Sequence, residues 1–137
     1  MEFVQQVPTT KAPAEWFTGD VWFDRIQAGE EPSRLRANMV RFAPGARTAW
    51  HHHAVGQTLH VVDGVALIGT RDGTIFEAHP GETVACPPGE EHWHGAGPER
   101  FMQHLALWEG TADSRPETTW LEHVTDEQYR GPRTPSR

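Results

Sequence analysis

Two His-x-His pairs constrain this chain more than any other feature of its sequence. His51 and His53 form the first pair, and His92 and His94 form the second, just past Pro87-Pro88-Gly89. In a β-strand, residues i and i+2 point to the same face, so each pair presents two imidazoles to one side of a sheet. Two such strands facing each other inside a closed sheet would bring these imidazoles together. The pattern predicts a metal site, and the alternative is a set of hydrogen-bonded core histidines.

Tight-turn dipeptides divide the rest of the chain into strand-length segments. Asp63-Gly64 and Asp72-Gly73 favour hairpin turns, because glycine accepts positive φ without strain. Strand-like patterns cover residues 21–26, 35–42, 65–70, 74–78, 82–86 and 101–108. Strands repeating every 8–12 residues or so are typical of an all-β barrel or sandwich.

The two ends of the chain depart from this pattern. Residues 1–19 are predicted to form an extended N-terminal segment, whose Trp16 and Phe17 either cover one end of the domain or contact a second subunit. The sequence Thr125-Asp126-Glu127-Gln128 is a capping box and predicts a short helix from Asp126. Residues 131–137 contain two prolines and are predicted to be a frayed tail.

Length and composition narrow the function classes. A chain of 137 residues suits a single domain over 1–137. The net charge of −7 argues against nucleic acid as a partner. Cys86 is the only cysteine, and no leader or long apolar run is present, so we expect a cytoplasmic protein away from membranes. Most of the six tryptophans are expected to fill the barrel.

The stretch that holds the histidines resembles the two-part signature of the cupin superfamily. The first part matches at Gly45, His51, His53 and Gly64, with Gln57 at the usual glutamate position. The second part matches at Gly81, Pro87, Gly89 and His92, with Ala96 in place of asparagine. The resemblance implies a double-stranded β-helix, a small jelly-roll barrel, followed here by the short C-terminal helix.

A narrower resemblance covers nearly the whole chain and points to the small bacterial cupins that act as manganese-dependent hydroxynitrile lyases. The matching segments include Trp16-Phe17-Thr18-Gly19, residues 44–51, Gly56-Gln57-Thr58-Leu59, residues 92–96, His104-Leu105-Ala106 and residues 122–129. The resemblance implies metal ligands at His51, His53, Gln57 and His92, and a further pocket histidine at His104. It also implies a metal-dependent lyase that assembles as a homodimer or homotetramer, with manganese the first candidate metal and iron or nickel next.

The alternation of side chains along a β-strand helps to predict which face the remaining candidate residues occupy. His94 shares the face of His92 and is expected to contact the substrate or a ligand. The strand at 101–108 places inward either His104 and its neighbours at even positions or the alternate set, and the resemblance favours His104 inward. His104 or His94 is then the candidate catalytic base, because imidazole titrates near neutrality. His52 and His60 are expected to face outward, and His79 and His123 to be structural or solvated. Cys86 is expected to be an inert core residue.

Three functions remain open at this level. Neutral imidazoles suit several transition metals, so the ligands alone do not choose the ion. A neutral Gln57 leaves the ion its full charge, which favours polarising a small substrate's oxygen over activating O₂. The first interpretation is therefore a lyase that cleaves or forms cyanohydrins. The alternatives are a metal-dependent dioxygenase of a diketone or alkene, and a non-catalytic cupin that binds a small molecule.

Overall fold

The computed structural model of the chain describes residues 1–135, and its regular secondary structure is almost entirely β-strand, arranged in two sheets. The strands, in chain order, are β1 (Thr10–Lys11), β2 (Phe17–Thr18), β3 (Val21–Gln27), β4 (Leu35–Phe42), β5 (Arg47–Thr48), β6 (His51–His53), β7 (Gln57–Asp63), β8 (Ala66–Thr70), β9 (Ile75–Ala78), β10 (Thr83–Cys86), β11 (His92–Ala96), β12 (Met102–Glu109), β13 (Thr118–Trp120) and β14 (Arg133–Thr134). The one helix among the described residues, α1, spans Asp126–Tyr129.

The two sheets have interleaved connections. The first sheet has the order β1-β3-β4-β12-β7-β10, and the second has the order β13-β6-β11-β8-β9-β14. In the second sheet β5 also pairs with β11, and β2 pairs with β5. The expected all-β, jelly-roll arrangement with a short C-terminal helix is confirmed.

The predicted helix is confirmed together with its capping box. Thr125 accepts a hydrogen bond from the Gln128 backbone N–H, and the Gln128 side chain accepts one from the Thr125 N–H. The frayed tail was predicted from Gly131, but Arg133–Thr134 pair in parallel with β9, so the tail is ordered there. Residues 136–137 lie outside the described residues. No helix within residues 1–135 is long and apolar enough to cross a membrane.

The barrel has an inner core and a second cluster on the outer face of the second sheet. The inner core includes Val21, Phe42, Leu59, Ile68 and Met102. The outer cluster joins Trp50, Leu67, Ile75 and Trp93 to Val124 and Tyr129 of the C-terminal segment.

The prediction that most of the tryptophans fill the barrel is wrong. Strand alternation turns Trp93 away from the inward-facing His92 and His94, so Trp93 and Trp50 are buried in the outer cluster instead. The other four tryptophans are only half-buried. Trp108 and Trp120 are the tryptophans that line the interior, together with other apolar residues and histidines.

The C-terminal segment is fixed to the barrel through Arg47, a buried residue of β5. Its guanidinium donates to the Val124 carbonyl at 2.9 Å and to Asp126 at 2.8 Å, and it lies 4.6 Å from the ring centre of Tyr129. The Tyr129 hydroxyl in turn donates to the Ala96 carbonyl at 2.7 Å. These contacts hold the outer cluster closed over the back of β11.

The N-terminal segment covers one end of the barrel, the first of the two alternatives for Trp16 and Phe17. Trp16 stacks on Trp120 with ring centres 5.2 Å apart. Phe17 packs against both Trp120 and Phe42. The segment before it, residues 1–9, is exposed.

Gly69 provides a test of the outer cluster. A Cβ at this position would lie 2.1 Å from the indole nitrogen of Trp93, whereas at Gly97 the nearest atom is 4.0 Å away. We expect Gly69→Ala to lower the free energy of unfolding by about 1–3 kcal/mol through overpacking. The matched control Gly97→Ala should change it by less than about 0.5 kcal/mol. Urea unfolding followed by tryptophan fluorescence measures both, and equal effects would contradict the packing described.

Candidate metal centre

The pairing of β6 with β11 brings the two His-x-His arms together. His51 lies directly opposite His92 in this antiparallel pair, and His53 is two residues further along the same face. All three side chains are buried. Each offers a ring nitrogen, and these nitrogens lie within 4.8 Å of one another. The structure therefore collects His51, His53 and His92 into one group that could bind a metal ion.

Hydrogen bonds orient these three rings. The Nδ1–H of His51 donates to the Ala49 carbonyl at 2.9 Å, and that of His92 donates to the Glu90 carbonyl at 2.9 Å. A carbonyl oxygen only accepts, so both rings keep Nε2 unprotonated when neutral. His53 uses its Nδ1 with the Thr118 hydroxyl at 3.1 Å. Metal-binding histidines commonly use their second nitrogen in this way.

Two further observations fit a metal ion at this point. The Nε2 atom of His53 is buried with no hydrogen-bond partner among the described residues. The Oε1 atom of Gln57 lies 3.2 Å from Nε2 of His92, so the Gln57 amide is close enough to bind the same ion as that imidazole. A cation bound by these atoms would accept their lone pairs. Without a bound cation, these buried polar atoms would lack such a partner, which is unfavourable.

Burial keeps the three imidazoles in the neutral form that binds metals. It lowers the pKa of His51 well below its ordinary value, lowers the pKa of His53 to about 4, and also lowers the pKa of His92. For His51 and His53, the neighbouring His92 lowers the pKa further, because like charges would repel. Near neutral pH these nitrogens therefore do not have to lose a proton before they bind a metal.

His94 and His104 form a second imidazole pair in the same interior. Nδ1 of His94 lies 2.9 Å from Nε2 of His104, and both side chains are buried. The prediction that His104 faces inward is confirmed, since it is fully buried and lies opposite Val40 and Val61. Burial lowers the pKa of His104 to about 4 and that of His94 well below its ordinary value. The remaining ring nitrogens, Nε2 of His94 and Nδ1 of His104, have no partner among residues 1–135.

These groups border a small interior cavity, called here the metal cavity, of about 90 Å³. Its polar lining includes His51, His53, Gln57, His94, His104 and Thr118. Its apolar lining includes Phe17, Val40, Phe42, Ala106, Trp108 and Trp120. No carboxylate lines this cavity within the described part of the chain. The lining itself would therefore supply no negative charge to a divalent ion bound here.

Sequence reasoning missed the contribution of β13. Thr118 lies opposite His53 and bonds its Nδ1, while Trp120 lies opposite His51 with ring centres 4.6 Å apart. The run Thr118-Thr119-Trp120 is rich in residues that favour strands, a signal too short to stand alone. Thr48 was also missed, and its hydroxyl accepts a hydrogen bond from the His94 backbone N–H at 3.2 Å.

The other singled-out residues lie away from the metal group. His52 is half-buried on the opposite face of β6, and His60 bonds the Thr83 hydroxyl at 2.9 Å. His79 is exposed in a turn beside Glu82, and His123 is exposed near Thr18. Burial raises the pKa of Cys86 to about 12, so its thiol stays protonated near neutral pH, as expected for an inert residue.

Comparison with known proteins gives consistent matches. Residues 38–102 match the family described as the cupin domain. A protein of Granulicella tundricola named (R)-mandelonitrile lyase is 48% identical over 120 residues, which are 88% of this chain and 90% of that protein. A cupin-like protein of Thermotoga maritima superposes with a TM-score of 0.82 at 31% identity, covering 95% of this chain and 96% of the other. The polyketide cyclase RemF of Streptomyces resistomycificus, with a TM-score of 0.71 at 19% identity over 94% and 90% of the two chains, shares the fold.

The geometry predicts which histidines matter for metal content. We expect His51→Ala to weaken metal binding by more than the roughly 10–100-fold typical of losing an outer-shell partner, because a ligand itself is removed. His52→Ala is the matched control, since this residue neighbours His51 on the strand but faces the other way. Elemental analysis after dialysis against a weak chelator measures both. Full metal content in His51→Ala, or equal losses in the two variants, would contradict the assignment.

Proposed function

The chain belongs to the cupin family, and from this premise we propose that it is a metal-dependent lyase of the hydroxynitrile lyase type. Such an enzyme cleaves a cyanohydrin to an aldehyde and cyanide, or forms it from them. The observation that carries the proposal is that His51 and His53 of the three-histidine group border one small cavity together with the His94–His104 pair. The relative named (R)-mandelonitrile lyase supports the same activity.

We propose that His51, His53, Gln57 and His92 hold one divalent transition ion, with manganese the first candidate and iron or nickel next. The bound ion would supply Lewis acidity toward the oxygen of the substrate. The neutral ligand set supports this role over O₂ activation, because no carboxylate among the described residues that line the cavity offsets the charge of the ion. The choice of metal rests on the family resemblance, since imidazole and amide ligands suit several ions.

The His94–His104 pair is the proposed base. When both rings are neutral, one ring donates its N–H to the other. Of the two ring nitrogens outside this hydrogen bond, one therefore carries a proton and the other a lone pair. His104 accepts the proton of the cyanohydrin hydroxyl, and His94 orients the bound group. The carbon–carbon bond then breaks with its electron pair leaving on cyanide, while the carbonyl forms. The protonated imidazole returns its proton to cyanide, which restores the neutral pair.

The low pKa of His104 keeps this residue available as a base but makes it a weaker base than an ordinary imidazole. A base must be unprotonated at the start of the step, and a pKa of about 4 keeps His104 neutral throughout the physiological range. Burial, the cause of that shift, also disfavours the imidazolium after proton transfer. The proton is therefore readily passed on to the leaving cyanide.

Replacement of His104 tests the proposed chemistry. General-base catalysis contributes about 10²–10⁴-fold, so His104→Ala should lower the rate of cyanohydrin cleavage within that range while metal content is retained. His104→Gln, which keeps a polar side chain in the buried site, serves where the alanine variant folds poorly. Cyanide release from mandelonitrile, measured with metal content on the same samples, provides the readout.

His60→Ala is the control, because His60 lies on the adjacent strand β7 but bonds Thr83 outside the metal cavity. Its cleavage rate should match the unaltered protein. Unchanged turnover in both His104 variants would remove His104 from the mechanism. Oxygen consumption coupled to turnover of a diketone or alkene by the unaltered protein, without cyanohydrin cleavage, would replace the lyase by a dioxygenase.

We also propose that the chain assembles as a homodimer or homotetramer. Trp16 and Phe17 pack within the chain, so support for assembly comes from the segment before them, where Phe3, Val4 and Val7 are exposed. Light scattering should give a mass of at least two chains, and deletion of residues 1–7 should lower it. A monomer at high micromolar concentration would contradict the proposal.

A further inference from the structure

Asn38, the only asparagine of the chain, lines the metal cavity, and we propose that its amide binds the nitrile nitrogen of the substrate and then the cyanide that leaves. The inference rests on the proposed function, because it assigns the leaving-group site of the same reaction. A nitrile and a cyanide ion both offer a lone pair on nitrogen, and an asparagine amide offers two N–H donors. Asn38 is thus a second polar contact for the substrate, separate from the one at its hydroxyl group.

Asn38 departs from the pattern of its strand. The inward positions of β4 that line the metal cavity are Asn38, Val40 and Phe42. Val40 and Phe42 belong to the inner core, as expected for the apolar face of a strand. Asparagine is depleted in β-strands and gains nothing from apolar neighbours. Residues that break a local rule of this kind are expected at functional sites.

The amide of Asn38 is available to a ligand. The side chain is half-buried and makes no hydrogen bond to another residue within 1–135. Two other polar groups of the lining are engaged within the chain. The Trp108 indole N–H donates to Glu117 at 2.9 Å, and the Thr118 hydroxyl lies 3.1 Å from Nδ1 of His53. Asn38 therefore brings an uncommitted donor to the cavity.

The strand register places Asn38 next to the proposed base. Asn38 lies opposite Ala106 in the β4–β12 pair, and Val40 lies opposite His104 in the neighbouring inward row. Positions two residues apart along a strand are separated by about 7 Å. A hydroxyl and a nitrile on one carbon, each with its own hydrogen bond, can bridge this distance. The small side chain of Ala106 leaves space beside the amide.

The leaving group is an anion, and the cavity offers it no cationic side chain. No lysine or arginine lines the cavity in the part of the chain that the structure describes. As the carbon–carbon bond breaks, its electron pair stays on cyanide, which then takes the proton that His104 accepted from the hydroxyl. A hydrogen bond to a charged acceptor is stronger than one to a neutral acceptor. The Asn38 N–H therefore stabilises the transition state more than the bound substrate.

Two small ethers test the nitrile contact without any turnover. Methoxyacetonitrile has no hydroxyl proton to lose, so the proposed route cannot cleave it. Methyl propargyl ether has the same linear shape, but a C–H replaces the nitrile nitrogen and accepts no hydrogen bond. Calorimetric titration measures the binding of both ethers to the Mn²⁺-loaded protein. The infrared stretch of the bound nitrile is a second readout, because a hydrogen bond to the nitrile nitrogen raises its frequency.

We expect Asn38→Ala to weaken methoxyacetonitrile binding about three- to tenfold and to change methyl propargyl ether binding less than about twofold. Asn38→Leu should have the same effect, and its side chain fills the space in which a water molecule would otherwise replace the amide as a donor. The bound nitrile should absorb at a lower frequency in both variants than in the unaltered protein.

Gln103→Leu is the matched control, because it removes an amide from the outward face of the neighbouring strand β12. It should leave both affinities and the nitrile frequency unchanged. Equal losses of the two ethers in both Asn38 variants, or no loss of methoxyacetonitrile in either, would overturn the contact.

The role in cyanide departure is tested by the turnover of mandelonitrile. Asn38→Ala should lower kcat roughly 10–100-fold with a smaller change in KM, because the contact strengthens as charge develops on cyanide. Metal content should stay that of the unaltered protein, since Asn38 lies outside the three-histidine group. A change in KM alone would overturn the leaving-group role.

These measurements separate the nitrile site from the proposed activity. A protein that binds the two ethers as expected but releases no cyanide from mandelonitrile keeps the nitrile site and loses the lyase assignment. A protein that cleaves mandelonitrile equally well with and without the Asn38 amide keeps the lyase assignment and loses the nitrile site.

Discussion

The register between β6 and β11 is the constraint on which the site depends. In this register His51 lies opposite His92, and both imidazoles point inward. Because side chains alternate between the two faces of a strand, His53 and His94 point to the same inward face. A slip of one residue in either strand would instead turn Trp50 or Trp93 into the barrel. Trp93 packs over its pairing partner Gly69, where any side chain would collide with the indole ring. This contact opposes such a slip. The outer cluster thus fixes the register that the metal group requires.

Several buried polar atoms, including Nε2 of His53, have no hydrogen-bond partner among the described residues. Two backbone carbonyls fix the rings of His51 and His92, and Thr118 contacts Nδ1 of His53. Buried nitrogens left without partners are unfavourable unless something satisfies them. A metal ion and a substrate with a hydroxyl group would satisfy these nitrogens, and the proposed function follows from that need. The neutral lining would leave the charge of a bound ion available for the proposed catalysis.

Much of this arrangement could be predicted from local patterns, because alternation and turns act over short distances. The strand Leu35–Phe42 and the capped helix at Asp126 follow from such patterns, whereas alternation left the face of His104 open and the family resemblance decided it. Apart from the meeting of the two His-x-His arms, contacts between distant segments could not be predicted. The strand Thr118–Trp120 is too short to carry a signal, yet it supplies a partner to His53, and Arg133–Thr134 is ordered by pairing with β9 rather than by its own sequence.

We propose that three histidines hold one metal ion inside the barrel, beside His104. X-ray absorption spectroscopy of the Co²⁺-loaded protein is the sharpest test, since the scattering pattern counts the imidazoles bound to the ion. We expect three imidazoles in the unaltered protein and two in His53→Ala. One imidazole or none, or a count that His53→Ala leaves unchanged, would contradict it.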